Sequence, residues 1–356
     1  MIEPGEATTS DLGVEVAAHY GDPTAEWEAL EAGAGVVDRS DAGSALVSGG
    51  DTFSFLDSLV SADVADLEDG AGVHGLLLSP KGKLVADFRL LRVGDTAWID
   101  TEPGVAPDLV AALDRYRIRV DVEISERSDE FGVLQLRGPA VDDVLAGAGA
   151  SRPPTGAHAH VAWGEVRIAR VARPDDAGVD VVGPLAALTA AWADLTAAGA
   201  VRVGRSASEA HRIAAGIPRQ GHDIDERTIP QEAGLELDAV SFTKGCFLGQ
   251  ELVCRIDSRG RVNRFLRRLT PDGPAPAVGA EILDHDGERA GEVTSVSAAP
   301  VGPVALGYTH RRVEPPGPVQ ITVAPAAETA GHVAAGDGDV VVARVAALPG
   351  MVQGGS

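Results

Sequence analysis

Cysteine and long apolar runs are both scarce in this chain. Its 356 residues include two cysteines, Cys246 and Cys254. Two thiols cannot form the disulfide framework of a small secreted protein, so a reducing compartment is the simpler interpretation. No apolar run is long enough to cross a bilayer, and the N-terminus has neither the basic nor the apolar region of a secretory signal. The sequence therefore predicts a soluble cytoplasmic protein without a membrane partner.

Lysine is almost absent, and acids outnumber bases. Lys81, Lys83 and Lys244 are the only lysines, and 30 basic residues face 53 acidic ones, which gives a net charge of −23. The acids are spread along the chain, which favours a solvated acidic surface over a disordered acidic arm. Halophiles use high negative charge in this way. The composition therefore favours a salt-loving source, a haloarchaeon, over an ordinary acidic protein of a high-GC organism.

The motifs of several ligand classes are missing. No C-x2-C pair, His-x3-His or H-E-x-x-H is present, so no metal site is predicted. No glycine-rich phosphate loop opens a helix, which excludes the common nucleotide-binding fingerprints.

Strand and helix patterns alternate over most of the chain. The clearest hairpin joins Leu76–Ser79 to Leu84–Arg92 through a Pro-Lys-Gly turn. A second alternation from residue 133 to 216 favours two related α+β units. Residues 1–25 are expected to form a helix or an arm, and Ser206-Ala-Ser-Glu209 has the pattern of a capping box that opens a helix.

The pattern changes near residue 266. Prolines crowd together at Pro271, Pro274 and Pro276, and short strand-like pieces then recur with turn signals between them. This spacing is typical of a small barrel. We predict one region over residues 1–265, a barrel domain over residues 266–350 and a tail over residues 351–356.

The segment from Lys244 to Arg268 has a charge opposite to that of the whole chain. It contains seven basic residues and two acids, a net charge of +5. Such a segment could bind a polyanion, either nucleic acid or a ligand with several carboxylates. Few aromatic residues lie nearby, which disfavours stacking on the bases of a single strand.

Two side chains are candidates for chemistry. Cys246 lies between two glycines and close to Lys244, and nearby cations favour the thiolate form; the alternative is a small buried hydrophobic residue. Cys254 is expected to pack on a helix face. On the predicted strand from Leu84, Asp87 shares a face with Arg89. Its carboxylate could contact the edge of an amino-heterocycle; the alternative is an ordinary cross-strand ion pair.

The stretch Lys244-Gly-Cys-Phe-Leu-Gly-Gln-Glu251, followed by Arg259-Gly260, resembles the signature of the YgfZ family. These are folate-binding proteins related to the glycine-cleavage T-protein, an aminomethyltransferase. The wider superfamily pattern covers most of the chain. It includes Gly35-Val-Val-Asp-Arg-Ser40, Leu78-Ser-Pro-Lys-Gly82, Leu136-Arg-Gly-Pro139, Arg212-Ile-Ala-Ala-Gly-Ile-Pro218, Pro230-Gln-Glu-Ala-Gly-Leu235, Gly291-Glu-Val-Thr-Ser295 and Ala305-Leu-Gly-Tyr308.

The resemblance implies an α+β cloverleaf: two interleaved α+β units and a C-terminal β-barrel around a central channel that holds tetrahydrofolate. It implies Cys246, Lys244 and Asp87 as the residues that carry the chemistry. It also implies that folate is bound by a set of polar residues: Asp87, Asp176, Arg212, Gln250, Glu251 and Arg255. Where T-proteins carry two adjacent acids, this chain has Ala86-Asp87. Together with the cysteine motif, this departure favours the YgfZ type.

Three functions follow as hypotheses. The first is a tetrahydrofolate-binding accessory protein for iron–sulfur cluster assembly or repair, with iron–sulfur apoproteins or assembly factors as partners and an indirect effect on tRNA modification. The second is a tetrahydrofolate-dependent aminomethyltransferase. The third is an RNA-binding module that uses residues 255–268.

Overall fold

The computed structural model describes residues 1–171, 178–259, 262–297, 302–323 and 340–351, with the side chain of Arg259 left aside. In this part of the chain no helix is long and apolar enough to cross a membrane. Asp176, which the resemblance assigns to the folate site, lies outside the described residues.

Short strands and helices alternate from the N-terminus. The elements up to residue 126 are β1 (Ala7–Asp11), β2 (Val14–His19), α1 (Pro23–Ala32), β3 (Gly35–Arg39), β4 (Gly43–Ser48), α2 (Thr52–Asp57), β5 (Gly72–Leu78), β6 (Leu84–Val93), β7 (Thr96–Thr101), α3 (Ala106–Asp114) and β8 (Glu123–Glu126). Those up to residue 259 are β9 (Phe131–Arg137), α4 (Val141–Gly147), β10 (His160–Trp163), β11 (Val166–Arg170), β12 (Gly178–Pro184), α5 (Leu185–Ala197), β13 (Val201–Val203), α6 (Arg205–Ala214), α7 (Pro230–Ala233), α8 (Glu236–Ala239) and α9 (Gln250–Arg259). The last are β14 (Arg264–Pro271), β15 (Glu281–Leu283), β16 (Arg289–Ser297), β17 (Val304–His310), β18 (Gly317–Thr322) and β19 (Val340–Ala347).

Two sheets interleave in sequence, as expected. One has the order β10-β11-β12-β9-β3-β13, and the other β5-β6-β7-β4-β8. Strand β3 therefore belongs to the first sheet, although the whole second sheet separates it from its neighbour β9 in sequence. Each sheet buries its own apolar cluster; Leu56, Leu90 and Leu109 belong to one, and Leu134, Leu188 and Leu195 to the other.

The C-terminal strands close into a six-stranded barrel in the order β14-β17-β16-β15-β18-β19. Its apolar interior includes Leu269, Ile282 and Val345. A separate cluster joins the outside of the barrel to the hairpin β5–β6, because Leu266 and Leu306 pack with Leu76 and Leu78. The expected α+β cloverleaf with a C-terminal barrel is confirmed, whereas the boundary at residues 265/266 stays a prediction.

Two local expectations were wrong. The helix or arm over residues 1–25 is largely a hairpin of β1 and β2, which turns at Leu12 and Gly13, both with positive φ (49° and 82°). Such a pair matches the twist of a two-residue hairpin.

The second wrong expectation is the capping box that starts at Ser206. Helix α6 begins at Arg205 and places Ser206 inside its first turn. Gly204 is the N-cap, and its N–H donates to Glu26 Oε2 at 2.8 Å.

Candidate functional site

A cavity of about 200 Å³ lies between the two sheets and helix α6. Much of its wall is charged. The cavity-lining ionic residues are six arginines (Arg39, Arg89, Arg137, Arg205, Arg212, Arg219) and six acids (Asp87, Asp100, Glu102, Asp180, Glu209, Asp238).

Asp87 lies in this wall and pairs with a histidine. Its Oδ1 is 2.5 Å from His74 Nε2, and both side chains are largely buried, with exposed fractions of 13 % and 11 %. The second oxygen, Oδ2, has no partner among the described residues. No arginine there neutralises the carboxylate. Asp87 was predicted from the sequence and His74 was not. The hairpin register, with Leu76 opposite Asp87, places the two on one face as diagonal neighbours.

Gln220 holds the backbone at Asp87. Strand β7 stops pairing with β6 at Thr101, opposite Phe88, so the residues of β6 before Phe88 lack a neighbour on that side. The Gln220 side chain replaces the missing strand: its Oε1 accepts from Asp87 N at 2.8 Å, and its Nε2 donates to Val85 O at 2.9 Å. Nothing in the local sequence predicts this contact, because 133 residues separate the partners.

Arg89 connects the two sheets. Its guanidinium contacts Asp100 at 2.9 Å within its own sheet and Asp180 at 2.5 Å on β12 of the other sheet. Arg137 contacts the second oxygen of Asp180 at 2.7 Å. Burial would raise the pKa of Asp180, but the two guanidinium groups outweigh it, and the net shift is downward. The ionised carboxylate is therefore a fixed link between the sheets.

A larger buried network surrounds Arg219. This guanidinium donates to Glu102 at 2.7 Å, to Glu209 at 2.6 Å and to Asp11 at 3.1 Å. Arg39 binds the same Glu102 at 2.8 Å. The network thus joins the N-terminal hairpin, strand β3, the end of β7 and helix α6.

Arg205 extends this network towards the N-terminal hairpin. It contacts Asp11 at 3.0 Å and Asp41, in the turn between β3 and β4, at 2.8 Å. We call the whole set the arginine network; it consists of Arg39, Arg205, Arg212 and Arg219 with Asp11, Asp41, Glu102, Glu209 and Asp223.

Arg212 is a structural member of the network, and its expected role in folate binding stays a prediction. All of its side-chain nitrogens are engaged: it donates to Glu209, to Asp223, to the Ile217 carbonyl at 3.1 Å and to Ser295 Oγ at 2.7 Å. Ser295 lies on β16, so Arg212 ties α6 to the barrel. A guanidinium with every nitrogen already bound has little capacity left for the carboxylates of a ligand.

Lys244 anchors its segment to helix α2. Its side chain is 2 % exposed, and Nζ lies 2.7 Å from Asp57 Oδ1, 2.7 Å from the Asp57 carbonyl and 2.6 Å from the Ala62 carbonyl. Burial would raise the pKa of Asp57, but the hydrogen bond from Lys244 outweighs it, and the net shift is downward. The ammonium group is therefore committed to α2 and not to the neighbouring thiol.

Cys246 is exposed, and Cys254 is half-buried. Burial raises the pKa of the Cys254 thiol. Gly249 follows the exposed thiol with φ at +81°, and a Cβ there would lie 2.6 Å from the Ser79 carbonyl. Only glycine allows this approach, which seats the cysteine segment against the turn that leads into β6.

The other expected site residues lie on α9. Glu251 and Arg255 form an exposed i,i+4 ion pair at 2.6 Å, with exposed fractions of 87 % and 64 %, and Gln250 begins the helix. None of these three lines the cavity. The structure therefore brings Asp87 and Arg212 to the cavity wall but separates them from the cysteine segment and from α9.

The described basic residues from 255 to 268 lie on two different elements. Arg255 lies on α9, whereas Arg264, Arg267 and Arg268 lie on β14. Arg264 contacts Glu232 at 3.1 Å, and Arg268 donates to the Ala214 carbonyl at 2.7 Å. Partners within the protein thus occupy cations that the RNA hypothesis needs free.

Comparison with known proteins agrees with this architecture. The family described as GCVT N-terminal domain matches residues 6–244, more than half of the chain. The chain belongs to this family. An aminomethyltransferase of Rubrobacter xylanophilus is 28 % identical over 322 residues and covers 87 % of this chain and 85 % of its own length. One from Chlorobium phaeovibrioides is 29 % identical over 297 residues, 79 % of this chain and 80 % of its own.

A solved structure shares the fold of this GCVT family member. The glycine cleavage system aminomethyltransferase T of Bartonella henselae superposes with a TM-score of 0.83 at 24 % sequence identity. The match covers 97 % of this chain and 94 % of that one. It therefore includes the C-terminal barrel as well as the two interleaved units.

Lys244→Met should destabilise the protein by about 3–5 kcal/mol, because it leaves the Asp57 carboxylate and several carbonyls without their buried partner. Urea unfolding followed by circular dichroism measures this loss. The exposed Lys81→Met variant is the matched control and should change the free energy of unfolding by less than about 0.5 kcal/mol. Equal stability of the two variants would contradict the anchoring role.

The Glu102 carboxylate should make the free energy of unfolding sensitive to acid. Burial would raise the pKa of its carboxyl, but Arg39 and Arg219 lower it to about 2. Since the folded-state pKa is depressed, the stabilisation is present above the unfolded pKa of about 4.3 and is lost as the pH falls towards 2. Glu102→Gln should reduce the free energy of unfolding at pH 7 by ~3 kcal/mol and flatten its decline below pH 4.3.

Urea unfolding across the pH range measures this effect. Glu251→Gln, which removes an exposed ion pair, should cost less than about 1 kcal/mol. An unchanged acid profile in Glu102→Gln would show that this carboxylate does not couple folding to protonation.

Proposed function

We propose that the chain binds tetrahydrofolate in the central cavity and acts as a YgfZ-type accessory protein in the assembly or repair of iron–sulfur proteins. One observation carries the folate part of this proposal: the Asp87 carboxylate faces the cavity with one oxygen unpartnered among the described residues. The cavity's other carboxylates are mostly held by arginines, as Asp100, Glu102, Asp180 and Glu209 are.

The residues present fit a pterin. An amino-heterocycle edge presents N–H donors, and an ionised carboxylate only accepts hydrogen bonds. Asp87 would hold that edge, His74 would orient the carboxylate through Oδ1, and Gln220 would fix the strand beneath it. When bound, the folate would supply the one-carbon chemistry. The protein's residues would bind and orient it against the ionic wall of the cavity.

The accessory role is supported by the cysteine segment. Cys246 is exposed, belongs to the motif that runs from Lys244 to Glu251, and is not among the cavity-lining residues. A thiol in that position is accessible to a large partner, such as an iron–sulfur apoprotein. The buried Lys244 fixes the segment that presents it. In this proposal the thiol acts on the outer surface and Asp87 acts inside the cavity.

Aminomethyl transfer is the second candidate. The relatives quoted above carry that name, and Asp87 occupies the cavity wall in a fold shared with a T-protein structure. Only one acid stands at this point of β6, however, because its neighbour is Ala86. The RNA-binding alternative is not proposed, since partners within the protein occupy Arg255, Arg264 and Arg268.

Asp87→Asn should weaken tetrahydrofolate binding roughly 10- to 100-fold, since a charge-assisted hydrogen bond contributes about 1.5–3 kcal/mol. Calorimetric titration at high salt measures the dissociation constant. Asp286→Asn, on an exposed turn of the barrel, is the control and should bind like the wild type. Wild-type protein that binds no folate form would refute the cavity assignment. An unaffected Asp87→Asn variant would refute the role of this carboxylate.

The same variant separates the two candidate functions. Formation of methylenetetrahydrofolate from an aminomethylated lipoyl carrier, with most of the rate lost in Asp87→Asn, would establish the transferase. Folate binding without any transfer would favour the accessory role.

Cys246→Ala should abolish complementation of a strain deleted for this gene while it leaves the folate dissociation constant within about twofold, because the thiol lies outside the cavity. The readouts are the activities of iron–sulfur enzymes in the strain and the titration above. Cys254→Ala is the matched thiol control and should complement. Full complementation by Cys246→Ala would remove the thiol from the mechanism.

A further inference from the structure

Arg267 is a buried arginine without a carboxylate partner. It is 4 % exposed, and no hydrogen bond or ion pair joins its side chain to another described residue; its Nε is buried without an acceptor. Its neighbours on β14 differ, since Arg264 binds Glu232 and Arg268 binds the Ala214 carbonyl. Burial lowers the pKa of the Arg267 guanidinium, and no acid among the described residues opposes that shift.

The strand register directs Arg267 into the barrel. Side chains alternate along β14, and Leu269, two residues on, belongs to the apolar interior. Opposite Arg267 lies Gly307 of β17. A Cβ on Gly307 would lie 2.9 Å from Ile282 Cδ1 and 3.1 Å from Leu269 Cδ1, so this position also faces the packed apolar interior.

A second unpartnered polar group lies beside it. Thr309 is 1 % exposed, and its hydroxyl has no hydrogen-bond partner among the residues that the structure describes. Thr309 is paired with Phe265, two residues before Arg267 on β14. The Arg267 guanidinium lies over the Phe265 ring, 4.7 Å from its centroid. Because Phe265 is the residue opposite Thr309, the guanidinium points along β14 in the direction of Thr309. The register thus places a guanidinium and a hydroxyl on the same inner face, as diagonal neighbours on β14 and β17.

Without partners, the Arg267 guanidinium and the Thr309 hydroxyl both lower the stability of the folded protein. A buried hydroxyl without a hydrogen-bond partner lowers stability, and a buried guanidinium without a counterion lowers it more. In the arginine network the guanidinium groups are neutralised by carboxylates, so this protein does pair its buried cations elsewhere. An anion held between Arg267 and Thr309 would satisfy both groups at once.

We propose that Arg267 and Thr309 bind a small monovalent inorganic anion of the halide class inside the barrel mouth, with Phe265 covering it. One guanidinium supplies one positive charge, so one monovalent anion neutralises it. The surrounding interior is apolar, with Leu269 and Val313 nearby in the same cluster, and it offers little to solvate a larger polyvalent anion. The site is separate from the cavity and independent of the proposed folate function.

The experiment compares thermal unfolding of the full chain in sodium chloride and in sodium gluconate at equal ionic strength. Chloride that binds the folded state should raise the midpoint by a few degrees relative to gluconate, and the effect should saturate with concentration. Arg267→Met should lose this chloride-specific shift. Arg344→Met is the control, because it removes a 78 % exposed arginine of the same barrel, and it should retain the shift.

Crystals grown in bromide provide the second measurement. An anomalous peak between Arg267 and Thr309 in the wild-type protein would support the site even if Arg267→Met fails to fold. Equal midpoints of the wild type in both salts, a chloride shift retained in Arg267→Met, or bromide bound elsewhere only would each overturn the proposal.

Discussion

The arginine network is the constraint on which the rest of the structure depends. Segments far apart in sequence meet in it: the β1–β2 hairpin through Asp11, the end of β7 through Glu102, α6 through Arg212 and the barrel through Ser295. A buried charge without its partner costs several kcal/mol, so each contact requires the others. Arginine suits this task because its planar fork can bind several carboxylates at once, and 27 of the 30 basic residues are arginines.

Because the arginines of the cavity wall are paired, Asp87 differs from the other charged residues there. The arginines around it are engaged by acids or carbonyls, so the cavity presents little free positive charge. Asp87 is bound by His74, and among the described residues its second oxygen has no partner and no guanidinium contacts it. The electrostatic preference of the cavity is therefore for a neutral or cationic donor edge rather than for an anion. That preference agrees with a pterin bound by its amino edge and leaves the carboxylates of a folate tail to some other part of the surface.

The sequence predicted the fold better than the site. Hydrophobic alternation and turn residues are local signals, and they located the β5–β6 hairpin and the barrel strands; Leu12-Gly13 was missed because Leu rarely adopts positive φ. Site roles depend on contacts between distant segments. The contacts of Arg212 with Asp223 and Ser295, for example, could not be identified from spacing. Gln220 carries no local signal at all, since its role arises only where β7 ends.

The motif around Lys244 combines two tasks that the sequence could not separate. Lys244 and Gly249 have structural explanations, because the first caps the end of α2 and the second lies against the β5–β6 turn. Once those residues are accounted for by packing, Cys246 is left without a structural role: it is exposed, and the buried lysine beside it does not serve it. Packing does not require Cys246, but Lys244 and Gly249 hold the segment that carries it. Cys246 is therefore the residue of this motif to which a function on the outer surface would be assigned. The same turn leads directly into the strand that carries Asp87, so the outer thiol and the inner carboxylate share one rigid support.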